Sequence, residues 1–314
     1  MKVVVTGGCG YKGSVLIPKL LDLGHEVVSI DTQWFGDCLP EHPRLARVKI
    51  DIRDLDELPI PRCDAVIHLA GIANDPCGNL DQALTWEVAG TGTMRLMSAA
   101  INAGVQQFIF ASSASVYGIR EEDRISEELP LTPVSTYNRS KMVAERVVLS
   151  YSDKISVQII RPATVCGLSP RMRLDVAVNL LTMQALVRGR ISVLGGLQFR
   201  PNIHIQDITD LYCWLLYNPK VTGIYNAGYQ NLTVMQIAQM VSERTGADVM
   251  IEPSNDPRSY RLDSEKLASV GFSPKKKVED AIEEIVLAYR ERRLVEHDSM
   301  YNVNWMRSQV VGSL

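Results

Sequence analysis

Val3-Val4-Val5-Thr6-Gly7-Gly8-Cys9-Gly10-Tyr11-Lys12-Gly13 is the stretch that decides how this chain is read. Its β-branched opening reads as a short buried strand, starting at Lys2. The glycines fit G-x-G-x-x-G from Gly8 and G-x-x-G-x-x-G from Gly7. Val15 to Leu23 then has helical spacing and stops near Gly24, a natural helix end. Glycine lets a chain turn tightly and approach a pyrophosphate closely, while the next helix aims free N–H groups and partial positive charge at the anion. A glycine motif alone is weak evidence; a strand before it and a helix after it supply the context that the mechanism needs.

Outward from this loop the rhythm repeats. Glu26–Ile30, Arg47–Ile50, Ala65–Leu69, Phe108–Phe110 and Val157–Ile160 read as buried strands, and Thr91–Ala103 and Ser140–Tyr151 as helices between them. Alternating strands and helices predict an α/β fold, a doubly wound parallel Rossmann sheet covered on both faces. It should occupy residues 1–165, with 203–228 returning to it. Segments such as Leu168–Asp175 and Ser254–Arg261, rich in Pro, Arg, Ser and Asp, read as loops of a smaller, mostly C-terminal substrate-binding region over 166–202 and 229–295. The tail, 296–314, shows no clear pattern.

Asp31 ends the second strand, about 20 residues beyond the glycines, where a carboxylate can accept hydrogen bonds from adenosine ribose hydroxyls and would repel a 2′-phosphate. No Arg or Lys occurs from Thr32 to Gly36 to reverse that preference, so the expected cofactor is NAD. Tyr137 and Lys141 stand at i and i+4, on one face of a helix. A free tyrosine has a pKa near 10; a neighbouring ammonium stabilises the phenolate and lowers it, so that the pair can exchange a proton with an alcohol or carbonyl. The strand before them ends in Ser112-Ser113-Ala114-Ser115, at the sheet end where ligands bind in such folds. Ser113 is placed to hydrogen-bond the reacting oxygen, and Ser115 reads as part of a serine-rich turn.

Composition narrows the classes of function. Apolar residues make up 46% and charged residues 22%, and the net charge is −3. Neither a nucleic-acid partner nor an anionic membrane is indicated. No apolar run is long enough for a membrane span, and the N-terminus lacks a signal peptide's pattern, so a cytoplasmic location is expected. The six cysteines are scattered without a CxxC pair, and the five histidines do not cluster with them, so no metal site is expected.

Together these residues resemble the extended short-chain dehydrogenase/reductase family, in particular its NAD-dependent nucleotide-sugar epimerases and dehydratases. The likeness runs to about residue 290. It includes the glycine loop, Asp31, Asp51-Ile52, His68-Leu69-Ala70-Gly71, Ser112 to Gly118, Tyr137 with Lys141, Arg161-Pro162 to Gly167, Arg200 to Asp207, and Ser259 to Asp263. The resemblance implies that Tyr137 is the acid/base, Lys141 its electrostatic partner on the nicotinamide ribose, and Ser113 the catalytic hydroxyl. It implies cofactor contacts from Gly7, Gly10, Tyr11, Lys12, Gly13, Asp31, Asp51, Ile52, Leu69, Ala70, Gly71, Ser112, Tyr137, Lys141 and Pro162. Ser113, Asn179, Arg200 and Arg258 would meet a nucleotide-diphosphate sugar, guanidinium groups being suited to phosphate.

Two departures from the family pattern narrow the reaction. Sugar 4,6-dehydratases carry Asp-Glu after the catalytic hydroxyl residue, where this chain has Ala114 and Ser115, so elimination of water is disfavoured. Ala89 stands where an Asn is usual before the Gly-Thr of the fourth helix, and Cys166 stands where Tyr is frequent and reads as packing. The expected activity is epimerisation of a nucleotide-linked hexose, at C4, through a transient keto sugar. A dehydrogenase or reductase of such a sugar would keep the same residues, and a non-catalytic NAD-sensing regulator could dispense with the Tyr-Lys pair. The resemblance also implies a homodimer packed through the helices carrying Thr93–Ala103 and Lys141–Leu149.

Overall fold

The β-branched run after Met1 forms β1 (Lys2–Thr6), all but its first residue buried. The computed structural model describes residues 1–54, 60–120, 122–254 and 259–309. The glycine loop leads into α1 (Gly13–Asp22), followed by β2 (Glu26–Asp31), β3 (Leu45–Lys49) and β4 (Ala65–His68). Two short helices, α2 (Asp75–Gly78) and α3 (Gln82–Trp86), precede a π-helical turn over Glu87–Gly92 that runs into α4 (Thr93–Asn102). Then come β5 (Gln107–Ala111), α5 (Thr136–Leu149) and β6 (Ser156–Pro162). The remaining elements are β7 (Thr164–Cys166), α6 (Ala177–Arg188), β8 (Arg190–Leu194), β9 (Phe199–His204), α7 (Ile205–Leu216), β10 (Gly223–Ala227), β11 (Gln230–Thr233), α8 (Val234–Thr245), β12 (Asp248–Glu252), α9 (Glu265–Ser269), α10 (Val278–Arg290) and α11 (Asn302–Gln309).

Seven strands make one sheet in the order β3-β2-β1-β4-β5-β6-β10, every neighbouring pair parallel. Side chains alternate between the two faces of a strand. Val3 and Val5 of β1 join Leu16 and Leu20 of α1 and Leu211 and Tyr212 of α7 in one apolar layer. Val4 joins Phe108, Phe110, Leu96, Met97, Ala144 and Val148 in the other. With both faces covered, the inner strands carry unbroken apolar runs (Val3–Val5, Ala65–Ile67 and Phe108–Ala111), whereas the edge strand β3 is half-exposed and carries Arg47 and Lys49. The strand order reverses between β1 and β4, and the crevice outside the carboxyl ends there is where a parallel sheet takes its ligand.

The second region has its own core, in which α6, α8 and α10 pack Val178, Leu181, Ile237, Val241 and Ile282 around the two-stranded parallel sheet β8-β12. A three-stranded sheet, β11-β9-β7, stands between the two regions. Of residues 203–228, α7 packs against α1 and β5, and β10 joins the main sheet beside β6. Ile203 and His204 instead end β9, which pairs with β7 and β11.

Within the tail, patternless as a sequence, Asn302–Gln309 form α11. Met306 is buried in the apolar layer that contains Val4, α11 packs against α2, and the Trp305 indole donates to the Trp34 carbonyl at 2.8 Å. On the two helices expected to form a dimer face, Leu96, Met97 and Val148 are fully enclosed by the chain itself, whereas Met94 is 48% exposed. Among the described residues no helix is long and apolar enough to cross a membrane.

Candidate active site

The glycine loop, the ends of β2, β4, β5 and β6, α5 and the segment after β7 enclose one cleft of about 540 Å³. Its floor is the loop itself. Gly7 has φ +73°, a left-handed backbone that suits glycine, and a methyl there would lie 2.6 Å from the Ala70 backbone nitrogen. A methyl on Gly13 would collide with the carbonyl oxygens of Gly7 and Gly8. Glycine at both places lets the loop close tightly on itself and on the end of β4, and the loop runs into the N-terminus of α1, whose free N–H groups suit a pyrophosphate. Asp31 accepts from the amides of Cys9 (2.9 Å) and Gln33 (2.7 Å), and burial raises its pKa against those bonds. Loop and carboxylate together fit a dinucleotide with two free ribose hydroxyls.

Leu69, Ala70, Gly71, Pro162, Asp51 and Ile52 line the same cleft. Asp51 is already bonded to Arg53 at 3.0 Å. His68, in the strand beneath, lies between the hydroxyls of Thr6 (2.7 Å) and Thr93 (3.1 Å). Burial, assisted by the charge of Lys141, lowers its pKa to about 3, so it is a neutral structural residue.

Ser113, Tyr137 and Lys141 meet on the cleft wall. Ser135 caps α5, accepting from the Asn138 amide at 3.1 Å, and donates its hydroxyl to Asp75 at 2.7 Å, which fixes where the helix carrying Tyr137 begins. Lys141 donates to the Ala111 carbonyl at 3.0 Å, and burial lowers its pKa to about 8. The ammonium four residues on predicts a lowered tyrosine pKa, but the protein alone holds that of Tyr137 above its ordinary value. Burial dominates, and a hydrogen bond with Ser113 and the nearby Arg173 charge oppose it. Ser115 is more than a turn residue: its hydroxyl lies 2.8 Å from that of Ser113, and it lines the cleft. The Ser112 hydroxyl is taken by Glu145.

Arg200 lies in the cleft wall, on β9. Asn179 does not reach the cleft. It is fully buried, and its amide accepts from the Gly167 N–H (3.0 Å) and donates to the Tyr11 hydroxyl (3.0 Å) and the Arg173 carbonyl (2.9 Å). All of its polar atoms are spent on holding the loop after β7 against the glycine loop, so it is a positioning residue in place of the expected substrate contact. Tyr11 completes this link by donating to the Gly167 carbonyl at 2.7 Å. Arg258 lies outside the described residues.

Several cleft residues carried no motif. Arg173 is held bidentately by Asp175 at 2.9 and 3.0 Å, and Asn74 donates to the same carboxylate at 2.9 Å. Arg171 stacks 3.9 Å from the Phe35 ring and donates to Asn302 at 2.6 Å. Trp34, Asp75, Tyr260 and Asn302 complete the wall. The arginine-rich loop after Gly167 was the available signal for Arg171 and Arg173. Asn302 had none, because its place depends on a helix packed across the fold.

Comparison with known proteins bears on this geometry. The model of the NAD dependent epimerase/dehydratase family matches residues 3–228. A UDP-glucose 4-epimerase of Lactobacillus helveticus is 28% identical over 317 residues, covering 90% of this chain and 95% of that protein. The Thermus thermophilus UDP-glucose 4-epimerase in complex with NAD superposes with a TM-score of 0.82 at 25% identity, covering 92% of this chain and 99% of that one. MoeE5 in complex with UDP-glucuronic acid and NAD superposes at 0.80 with 27% identity, covering 93% and 100%.

Proposed function

Because this chain belongs to the NAD dependent epimerase/dehydratase family, we propose that it is an NAD-dependent epimerase that inverts C4 of a nucleotide-linked sugar. The observation that carries the reading is the convergence of Tyr137, Ser113 and Lys141 with the glycine loop and Asp31 in one cleft at the carboxyl ends of the parallel strands. When bound there, oxidised NAD supplies a hydride acceptor that can later return what it took, and a positively charged ring.

The residues of the chain do the rest. Tyr137 Oη takes the proton of the sugar's 4-hydroxyl as C4 becomes a carbonyl, and gives it back after the keto sugar has turned its other face. Ser113 donates to the reacting oxygen as charge develops on it, and Ser115 orients the Ser113 hydroxyl. Lys141 holds positive charge at the base of the phenol and reaches the nicotinamide ribose. Asp31 takes the adenosine ribose, and Arg200 the substrate diphosphate. A 4,6-elimination finds no acid and base beside Ser113, because Ala114 is a buried methyl and Ser115 an uncharged hydroxyl.

The test is incubation with UDP- and GDP-hexoses without added nicotinamide. Interconversion of C4 epimers with no net NADH supports the reading; steady accumulation of NADH overturns it in favour of a dehydrogenase. The dimer expected from the family is proposed as well. It would use the outer faces of α4 and α5, where Met94 is exposed and Val143 and Val147 are half-buried. Light scattering at the monomer mass refutes that arrangement.

A further inference from the structure

The tail of the chain ties together the two walls of the cleft at its Asp31 end. On one wall, Trp34 and Phe35 follow Asp31 in the same loop and line the cleft. On the other, the loop after Gly167 lies against the glycine loop and the first turn of α1. There the Ser169 hydroxyl donates to the Tyr11 carbonyl at 2.9 Å and stands 2.9 Å from the Ser14 hydroxyl. Arg171 of that loop reaches across, the centre of its guanidinium 3.9 Å from the centroid of the Phe35 ring. The tail grips both sides. Trp305 donates to the Trp34 carbonyl at 2.8 Å, Asn302 accepts from Arg171 at 2.6 Å, and the Met300 carbonyl accepts from the Leu174 amide at 2.8 Å.

These ties are of a kind that can open. Arg171 is only 7% exposed, yet among the described residues no carboxylate forms an ion pair with it. The Phe35 ring face, the Asn302 amide oxygen and the Met172 carbonyl, at 3.3 Å, hold it instead. Two residues on, Arg173 is fixed by both oxygens of Asp175. A ring face and single neutral acceptors bind a guanidinium less firmly than a bidentate carboxylate does. Among the described side chains of α11 only Asn302 and Met306 are buried, so few contacts oppose its detachment. The segment also lies beyond the family match, which covers residues 3–228.

We propose that α11 is a strap on the cofactor: with Arg171 and Phe35 it gates the entry and exit of the dinucleotide, and it must detach for NAD to exchange. This rests on the reading that NAD lies between Asp31 and Tyr137. The half of the cofactor taken by Asp31 and the glycine loop is the half flanked by the two tied walls. Such a strap suits a closed redox cycle, in which hydride returns to the sugar it came from and the cofactor stays in place between turnovers. It suits a dehydrogenase poorly, because that enzyme must exchange its cofactor at every turnover.

The experiment measures cofactor exchange on the full chain by stopped-flow fluorescence. Mixing NADH with cofactor-stripped protein gives the association rate, and displacing bound NADH with excess NAD gives the dissociation rate. Asn302→Ala and Trp305→Phe each cut one tie and leave the rest of α11. A gate limits passage in both directions, so both rates should rise while the equilibrium affinity moves less than either. The expected rise is about tenfold for Asn302→Ala and about threefold for Trp305→Phe, as for one charge-assisted and one neutral hydrogen bond. Wild-type rates in both variants overturn the strap, even if thermal unfolding shows both to be less stable. A rise in dissociation alone overturns it too, because the residues would then be ordinary cofactor contacts. Absence of any NADH binding sinks the strap and the cofactor site together. Gated exchange in a protein that interconverts no sugar leaves the strap standing and sinks the epimerase reading.

Discussion

Glu145, one helical turn beyond Lys141, is gripped by Arg161 of β6 in a bidentate ion pair at 2.9 and 2.7 Å, with both side chains almost completely buried. Arg161 also donates to the Tyr117 hydroxyl at 2.8 Å, and that hydroxyl donates to Asn226 of β10 at 2.8 Å. Glu145 additionally takes the Ser112 hydroxyl. One buried pair thus ties the helix of the proposed acid/base to three strand ends. Removing one partner of such a pair leaves a charge in the interior, at a cost of about 3–5 kcal/mol. Glu145→Gln is expected to lower stability by that order in urea denaturation, and Arg161→Met likewise.

Tyr137→Phe removes one oxygen and leaves the helix. Turnover is expected to fall by about 10²- to 10⁴-fold, the usual reach of a positioned acid/base. NAD content, measured after denaturing the purified protein, should stay close to wild type. A variant retaining full turnover would take the proton chemistry away from this residue.

Gly13→Ala places a methyl on the carbonyl oxygens of Gly7 and Gly8. The loop must shift, which closes the cradle at the N-terminus of α1. The expected outcome is a loss of NAD affinity of at least about tenfold, together with destabilisation of about 1–3 kcal/mol. Fluorescence titration with NADH and thermal unfolding of the apo-protein read the two effects separately.

Ending the chain after Met300 deletes α11. The buried Met306 side chain, the Trp305–Trp34 hydrogen bond and the Arg171–Asn302 hydrogen bond are lost together. A stability loss of about 2–5 kcal/mol is expected, as for truncating a large buried side chain. Because Trp34, Arg171 and Asn302 line the cleft, NAD should also exchange faster. Stopped-flow displacement of bound NADH checks this.

Stability should also fall in acid through His68. Its folded pKa, about 3, lies below its ordinary value of 6.5, so the unfolded chain binds the extra proton first as pH drops. The stabilising difference is complete above the unfolded value and is lost progressively from there down toward about 3. Between about pH 6.5 and 5 this single residue accounts for about 2 kcal/mol. Urea midpoints across that range should drop more steeply for wild type than for His68→Asn.

Local sequence was sufficient for the strand-loop-helix around Gly7, Gly10 and Gly13, the parallel sheet, Asp31, and the Tyr137–Lys141 spacing. In each of these, β-branched runs, glycine conformations or helical periodicity act over a few residues. Packing between distant segments settled that Asn179 braces the glycine loop instead of facing substrate, and that Ile203 and His204 leave the main sheet for a smaller one. It also settled that a tail without apolar periodicity folds back to close the wall at Asn302, and that Arg173 lines the same cleft as Tyr137. In each case the deciding contact joins residues far apart in the chain, and burial sets the outcome. The Tyr137 pKa shows the same division: the neighbour four residues on predicts a lowered value, and the enclosure formed by distant segments raises it.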